Sequence, residues 1–391
     1  MTPALQGVRI VEFGGYAAGP HIGKMLGNFG ATVLHVESRA RPDGFRMQYP
    51  PYKDGKPGLE RSGCFAIFND SKLGVTLDAK NPRGLELARR LVASSDVLIE
   101  NMRPGVIARM GLGYETLKRE NPRLIMLSTC NMGQTGPRAD TPGFGSQLTA
   151  LAGMCNLTGE RGGPPMLLYG PYIDFIASTL GAVAVLAALE RRHASGQGAY
   201  IDISQYESGL MFLAGELLEY HTSGKVAERA GNHDPEAMPH GAFACGDGSW
   251  LALSCWSDAE FGRFAQCIGR PGLSREPEAI EKALSSWLRE RSADAAAREL
   301  QVAGVHAHPV ASVGDLFTDP QLAVRRQWQR KLHPVIGEHS YSGPPFVLSE
   351  TPGEVTRAAP TLGADNQAVF RELLGLTAEE YAAYDAAGAF A

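Results

Sequence analysis

At 391 residues the chain exceeds one ordinary hydrophobic core, and two domains are expected. Hydrophobic residues at 44% and charged residues at 20% fit a globular protein and exclude a disordered or low-complexity chain. A net charge of −5 gives no electrostatic footing for nucleic acid, while leaving room for local basic pockets.

The first half alternates strands and helices. Val8–Phe13 is a β-branched run bounded by Gly7 and Gly14. Pro20 suits a first helical turn, and Ile22, Met25, Leu26 and Phe29 recur at helical spacing until Gly30. Thr32–Val36 is the next strand, and Arg41–Arg61, rich in Pro, Gly, Lys and Arg, reads as a long functional loop. Val75–Leu77 follows as a strand, then a helix from Pro82 with Leu85, Leu87, Ala88 and Leu91 on one stripe. Val97–Ile99 and Leu124–Ser128 are further buried strands. This order predicts a doubly wound, mainly parallel sheet, with the Gly/Pro-rich Gly133–Gly145 lying over the strand ends. Ile176–Leu189 is an apolar, Ala-rich helix expected to be buried on most faces. Tyr200–Ile203 is a strand and Gln205–Tyr220 a helix.

Beyond this the character changes. Thr222–Pro239 reads as a linker, and Gly241–Ser254 as a hairpin turning at Gly246-Asp247-Gly248. Helices follow to about Leu300, then a short strand near Val310. In Tyr341–Leu374 we expect a strand at Phe346–Leu348, a Pro-rich stretch and a final helix. The expected division is therefore a large α/β domain (1–221 and 319–391), a linker (222–240) and a small α+β domain (241–318).

The longest apolar runs, such as Leu180–Leu189, read as too short to span a bilayer, and the N-terminus shows no signal-peptide pattern. Six scattered cysteines without a Cys-x-x-Cys pair suggest reduced, buried thiols, hence a cytoplasmic protein.

Several catalytic signatures are absent: Gly-x-Gly-x-x-Gly after the first strand, the phosphate-binding Gly-Lys-Ser/Thr, and His-Glu-x-x-His. His306 and His308 share a strand face but have no acidic or Cys neighbour in sequence, so no metal site is expected. Asp174 is more informative. It follows Gly170-Pro171 and opens the apolar helix, where an ionised carboxylate needs a reason. It reads as a helix N-cap or as a partly desolvated nucleophile, and the two are compatible.

The chain resembles the family III CoA-transferases, the group of formyl-CoA transferase and carnitine CoA-transferase, over nearly its whole length. The resemblance rests on Gly7–Phe13 with Ala18-Gly19-Pro20, Leu26–Ala31, Asn69 with Lys72, Glu100–Gly105 with Arg109-Met110-Gly111, Gly196-Gln197-Gly198 with Asp202-Ile203-Ser204, and Ala359-Pro360-x-Leu362-Gly363. It implies that Asp174 is the nucleophile, passing through aspartyl anhydride and aspartyl-CoA thioester intermediates. CoA-contacting positions would be Tyr16, Ala17, Ala18, Arg39, Lys72, Asn101, Met102, Arg109 and Met110. Acyl-CoA is then a substrate, with no tightly bound cofactor. Oxyanion donors would come from Gly133–Gly145 or the linker near Gly231.

The related α-methylacyl-CoA racemase reading needs a His where Phe144 stands, and Phe moves no proton. A non-catalytic CoA-binding partner subunit is opposed by the retained Asp174. Within the family, Tyr49-Pro50-Pro51 and Pro239-His240-Gly241 resemble the branch acting on benzylsuccinate and similar dicarboxylic acids. Arg46, between Phe45 and Tyr49, is the expected clamp for the acceptor's second carboxylate, with Tyr49 and Phe144 as substrate contacts and succinyl-CoA as a donor. The resemblance also implies an interlocked dimer, as a homodimer or with a paralogous chain.

Overall fold

A computed structural model describes residues 2–391. The chain forms two compact units: one runs up to Met154 and adds Leu167–Leu218 and Ala323–Ala391, the other is Cys155–Met166 with Glu219–Leu322. Cys155–Met166 thus groups with the second unit rather than the large one.

The first unit is built on a six-stranded parallel sheet: β1 (Arg9–Phe13), β2 (Thr32–Glu37), β3 (Lys72–Thr76), β4 (Val97–Glu100), β5 (Ile125–Cys130) and β6 (Ala199–Ser204). Their spatial order is β3-β2-β1-β4-β5-β6, so the winding direction reverses between β1 and β4. Alternation along each strand sends one set of side chains to each face. On one face, α1 (Ala18–Gly27) sets Ile22 and Leu26 against Ile10, Val33, Ile99 and Leu127. Helices α2 (Gly63–Asn69), α3 (Pro82–Ala93), α4 (Tyr114–Glu120) and α5 (Gly145–Leu151) follow. The other face carries Leu87, Ala88 and Leu91 of α3 on Val11, Leu34 and Leu98, and the C-terminal Phe370, Tyr384 and Phe390 return to complete it.

Helix α6 (Tyr172–Ser195) is longer than the apolar run suggested, because Tyr172–Phe175 extend it at one end and the polar Glu190–Ser195 at the other. Among the described residues it alone is long and apolar enough to cross a membrane by length and composition. Its inner face, with Val185 and Leu189, packs with α1 and the sheet. Contrary to expectation, its outer face is open, with Val183 and Leu186 exposed. Asp174 is not the N-cap either: that position is Pro171, and Asp174 lies in the first turn.

Phe346–Leu348 forms no strand. The pairing falls earlier, in a hairpin of Trp328–His333 with Gly337–Ser342, whose Tyr341 is buried beside Phe65 and Phe68. The second unit contains a three-stranded antiparallel sheet of His240–Ala244, Trp250–Ser254 and His306–Pro309. One side of it packs Leu251 and Leu253 against Phe264, Leu284 and Leu300. His306 pairs with Glu260, 2.5 Å from Nδ1 to Oε1, an acid 46 residues away that local sequence did not reveal. The six cysteines are unpaired, four buried and two half-buried.

Candidate active site

A cavity of about 380 Å³ opens where β1, β4 and β5 end. This is the topological switch point, where the turns leaving adjacent strands diverge and leave room for a ligand. Its lining includes Tyr16, Ala17 and Ala18 from the turn after β1, Asn101 to Pro104 after β4, and Cys130 and Asn131 at the end of β5. Ala139 to Gly145, Arg41, Asp174 and Gln205 complete it.

Each turn is pinned by a side chain. The Asn101 amide donates to Gly15 O at 2.8 Å, and its oxygen accepts Gly15 N–H at 3.1 Å. Glu100, buried under the turn after β4, accepts the Met102 N–H at 2.8 Å. Burial pushes its carboxyl up to about 7. Asn131 donates to Gly143 O at 3.0 Å and holds the Gly/Pro-rich loop against β5. Ser178, with one proton to give, sits 2.9 Å from Ala18 O and 2.5 Å from Asp174 O, tying α6 to the first turn.

Asp174 is half-buried, and among the described residues its carboxylate has no ion pair or hydrogen bond. Burial alone pushes its pKa up to about 7. The first residue of α5 lies directly opposite. A β-carbon at Gly145 would fall 2.6 Å from Asp174 Oδ2, so only glycine permits that approach. The geometry is that of an unquenched carboxylate lining an open cavity, an arrangement suited to covalent attack on a carbonyl.

The other sequence-derived positions divide. Tyr16, Ala17, Ala18, Asn101, Met102 and Phe144 share the cavity with Asp174. Tyr49 is 40% exposed and reaches the site only through its ring, 6.4 Å from that of Tyr16. Arg39, Arg109 and Met110 lie outside the lining, with Arg39 Nε donating to Phe390 O at 3.2 Å. Gly231 belongs to the second unit.

Two assignments are corrected. Lys72 is 0% exposed, and its three N–H groups go to Glu12 at 2.8 Å, Pro20 O at 2.7 Å and Asn69 Oδ1 at 2.9 Å. No donor remains for a phosphate. Arg46 is 0% exposed, and every edge of its guanidinium is taken. It contacts Glu37 at 2.7 and 2.9 Å, Glu60 at 2.8 Å, Pro360 O at 3.2 Å and Leu59 O at 3.3 Å. The Phe65 ring lies 3.6 Å below it. It is a structural cation, not an acceptor clamp. The cations lining the cavity are Arg41, which the sequence placed in the cationic loop without singling it out, and Arg103, which it read only as part of the Glu100–Gly105 motif. Asp43, Asn131 and Ser178 were missed because a single polar residue gives no local sign of the distant backbone groups that folding brings to it.

Residues 5–366 match the family described as CoA-transferase family III. The chain is 33% identical over 390 residues to the succinyl-CoA–D-citramalate CoA-transferase of Chloroflexus aurantiacus, covering 97% of this chain and 96% of that protein. It is 34% identical to the alpha subunit of succinyl-CoA–L-malate CoA-transferase from the same organism, covering 96% of this chain and 90% of that one. Among solved structures it resembles a CAIB/BAIF family protein from Brucella suis, with a TM-score of 0.87, 30% identity, and coverage of 95% of this chain and 100% of that one.

Proposed function

Because this chain belongs to CoA-transferase family III, we propose that it moves CoA from succinyl-CoA to a dicarboxylic acid, with Asp174 as the covalent nucleophile. The observation that carries this reading is the Asp174 carboxylate, facing the cavity with no partner to quench it. Coenzyme A thioesters enter as substrates, not as a tightly bound cofactor.

An Asp174 oxygen attacks the thioester carbonyl, the C–S bond breaks, and CoA leaves as thiolate with an aspartyl–acyl anhydride behind it. The thiolate attacks the aspartyl carbonyl, expels the donor acid and leaves Asp174 as a CoA thioester. The acceptor carboxylate attacks that carbonyl and releases thiolate, giving a second anhydride. Thiolate attack on the acceptor's carbonyl frees Asp174 and the new acyl-CoA. One thioester replaces another, so no external energy source enters. Ala139, Thr141 and Phe144 already donate their N–H groups within the loop and Pro142 has none, so Asp140, Gly143 and Gly145 are the loop's candidate donors to the developing oxyanions.

Two features favour a dicarboxylate with an apolar body. Arg41 and Arg103 put cations in the lining of the cavity that Asp174 shares. Tyr16 and Phe144 meet edge to face at 5.9 Å, offering a surface for an aryl or alkyl group, as an aryl-succinate has. Phe144 carries no proton, which leaves racemisation without its second acid/base. The test is an acid panel with succinyl-CoA as donor: malate, citramalate, benzylsuccinate and their monocarboxylic analogues, with acyl-CoA products read by mass spectrometry. Dicarboxylates are expected to lead; equal kcat/KM for a dicarboxylate and its monocarboxylic analogue would overturn the acceptor class. Hydroxylamine added with succinyl-CoA alone should convert Asp174 to a hydroxamate, located by peptide mapping.

The assembly belongs to the same reading. Val183 and Leu186 on α6, with Met211, Phe212 and Leu217, leave an apolar surface that favours a second chain, a copy or a paralogue. An interlocked pair exchanges subunits only on unfolding. Mixed tagged and untagged folded protein should therefore stay unmixed under native conditions, and hybrid dimers by native mass spectrometry would contradict it.

A further inference from the structure

The covalent steps give no task to the Tyr16 backbone, yet it is held at φ 62°, a left-handed conformation that a β-carbon disfavours. An outlier of this kind persists only where its surroundings enforce it. Asp43 does so: its Oδ1 accepts the N–H of Tyr16 at 3.0 Å and that of Phe45 at 2.8 Å. Asp43 is buried, and its own N–H is fixed by Glu37 Oε1 at 2.8 Å. The Tyr16 hydroxyl donates to Gln48 Oε1 at 2.7 Å. Gly44 makes room for the ring, since a β-carbon there would fall 2.3 Å from Tyr16 Cζ.

The ring so held stands edge-on to Phe144, at 5.9 Å between centroids. Phe144 directly precedes Gly145, the residue pressed against the Asp174 carboxylate. Tyr16 and Phe144 therefore form one apolar flank of the cavity that contains the nucleophile. Phe144 is 57% exposed, so the outer side of this flank meets solvent.

We propose that Asp43 is a positioning residue: by fixing Tyr16 in its left-handed conformation it holds the Tyr16–Phe144 wall in place, and that wall withholds water from the acylated Asp174. The inference rests on the covalent reading of Asp174. The reaction it suppresses is hydrolysis of the aspartyl-CoA thioester. Water oxygen bonds to the aspartyl carbonyl carbon, the C–S bond breaks, and one water proton goes to the departing thiolate. CoA and free Asp174 result, and the donor thioester is wasted. Aromatic faces offer water no partner, so their removal admits it.

The measurement is the ratio of CoA released, read with a thiol reagent, to CoA transferred, read by mass spectrometry, in the full-length enzyme. Asp43→Ala should raise that ratio by about tenfold or more. Asp43→Asn keeps the oxygen that accepts both N–H groups and should hold the ratio near that of the unmutated enzyme, a rescue that a merely structural role would not require. Phe144→Ala removes an exposed ring from the same wall and should raise the ratio with folding intact, so it carries the test should Asp43→Ala fail to fold. An unchanged ratio in Phe144→Ala and in folded Asp43→Ala, or equal uncoupling by Asp43→Asn and Asp43→Ala, would overturn the proposal. Hydroxylamine trapping on unmutated enzyme separates the two readings: no Asp174 hydroxamate means the covalent reading has failed, whereas a hydroxamate with an unchanged ratio means only the wall has.

Discussion

Asp174→Ala is expected to lower CoA transfer by at least about 10³-fold, because it removes the atom on which both covalent intermediates form. CoA binding should persist, since the turns after β1 and β4 hold their shape through Asn101 and Glu100, not through Asp174. The pH profile of the unmutated enzyme follows from the same burial. With the carboxyl pushed up to about 7, the nucleophilic anion is the minor form below that pH. The kcat/KM for the first half-reaction should therefore rise about tenfold per unit as pH increases toward 7 and level off above it. An acid of ordinary pKa would show no such limb. Calorimetric titration with CoA, together with initial rates between pH 5 and 9, checks both statements. Transfer retained in Asp174→Ala above about 1% of the unmutated rate would remove Asp174 from the mechanism.

Arg46→Ala is expected to destabilise the first unit by about 3–5 kcal/mol, the usual cost of leaving a buried ion without its partner. Glu37 would lose the guanidinium 2.7 Å from its Oε2 while remaining buried, and Glu60 would lose its contact at 2.8 Å. The Phe65 ring would also lose the cation packed on its face. The readout is the urea midpoint of the unfolding transition, compared with Arg46→Lys, which keeps charge but not the two-pronged fit to Glu37. An unaltered midpoint with a raised acceptor KM would show instead that Arg46 serves the substrate. The same reasoning extends to Lys72, whose ammonium neutralises the fully buried Glu12 beside His35.

The frame of the fold was legible because it depends on local pattern. Val8–Phe13, Thr32–Val36 and Val97–Ile99 announce buried parallel strands by continuous apolar runs, and the strand–helix alternation implies the winding. The C-terminal strand was misplaced because Phe346–Leu348 has strand composition, whereas Trp328–His333, with Gln329, Arg330 and Lys331 in a row, lacks clean alternation and shows its pairing only opposite Gly337–Ser342. The outer face of α6 was misread because an Ala-rich apolar helix looks the same whether its second side meets the core or is left open.

The sequence by itself determined the parallel sheet, the carboxylate at the head of the apolar helix, and the family to which both belong. Those depend on periodicity and on the order of short motifs, which neighbouring residues carry. Only the tertiary structure decided the role of each charge. Arg46 looked like a free cation in a solvated loop, yet its contacts include a carbonyl 314 residues away, and Lys72 meets Glu12 from 60 residues away. A cation's task is set by which acceptors burial brings to it, and Coulomb and hydrogen-bond energies depend on distance in space rather than along the chain. Asp174 differs from both because folding brings it a cavity and no partner, and that absence is what keeps its charge available for chemistry.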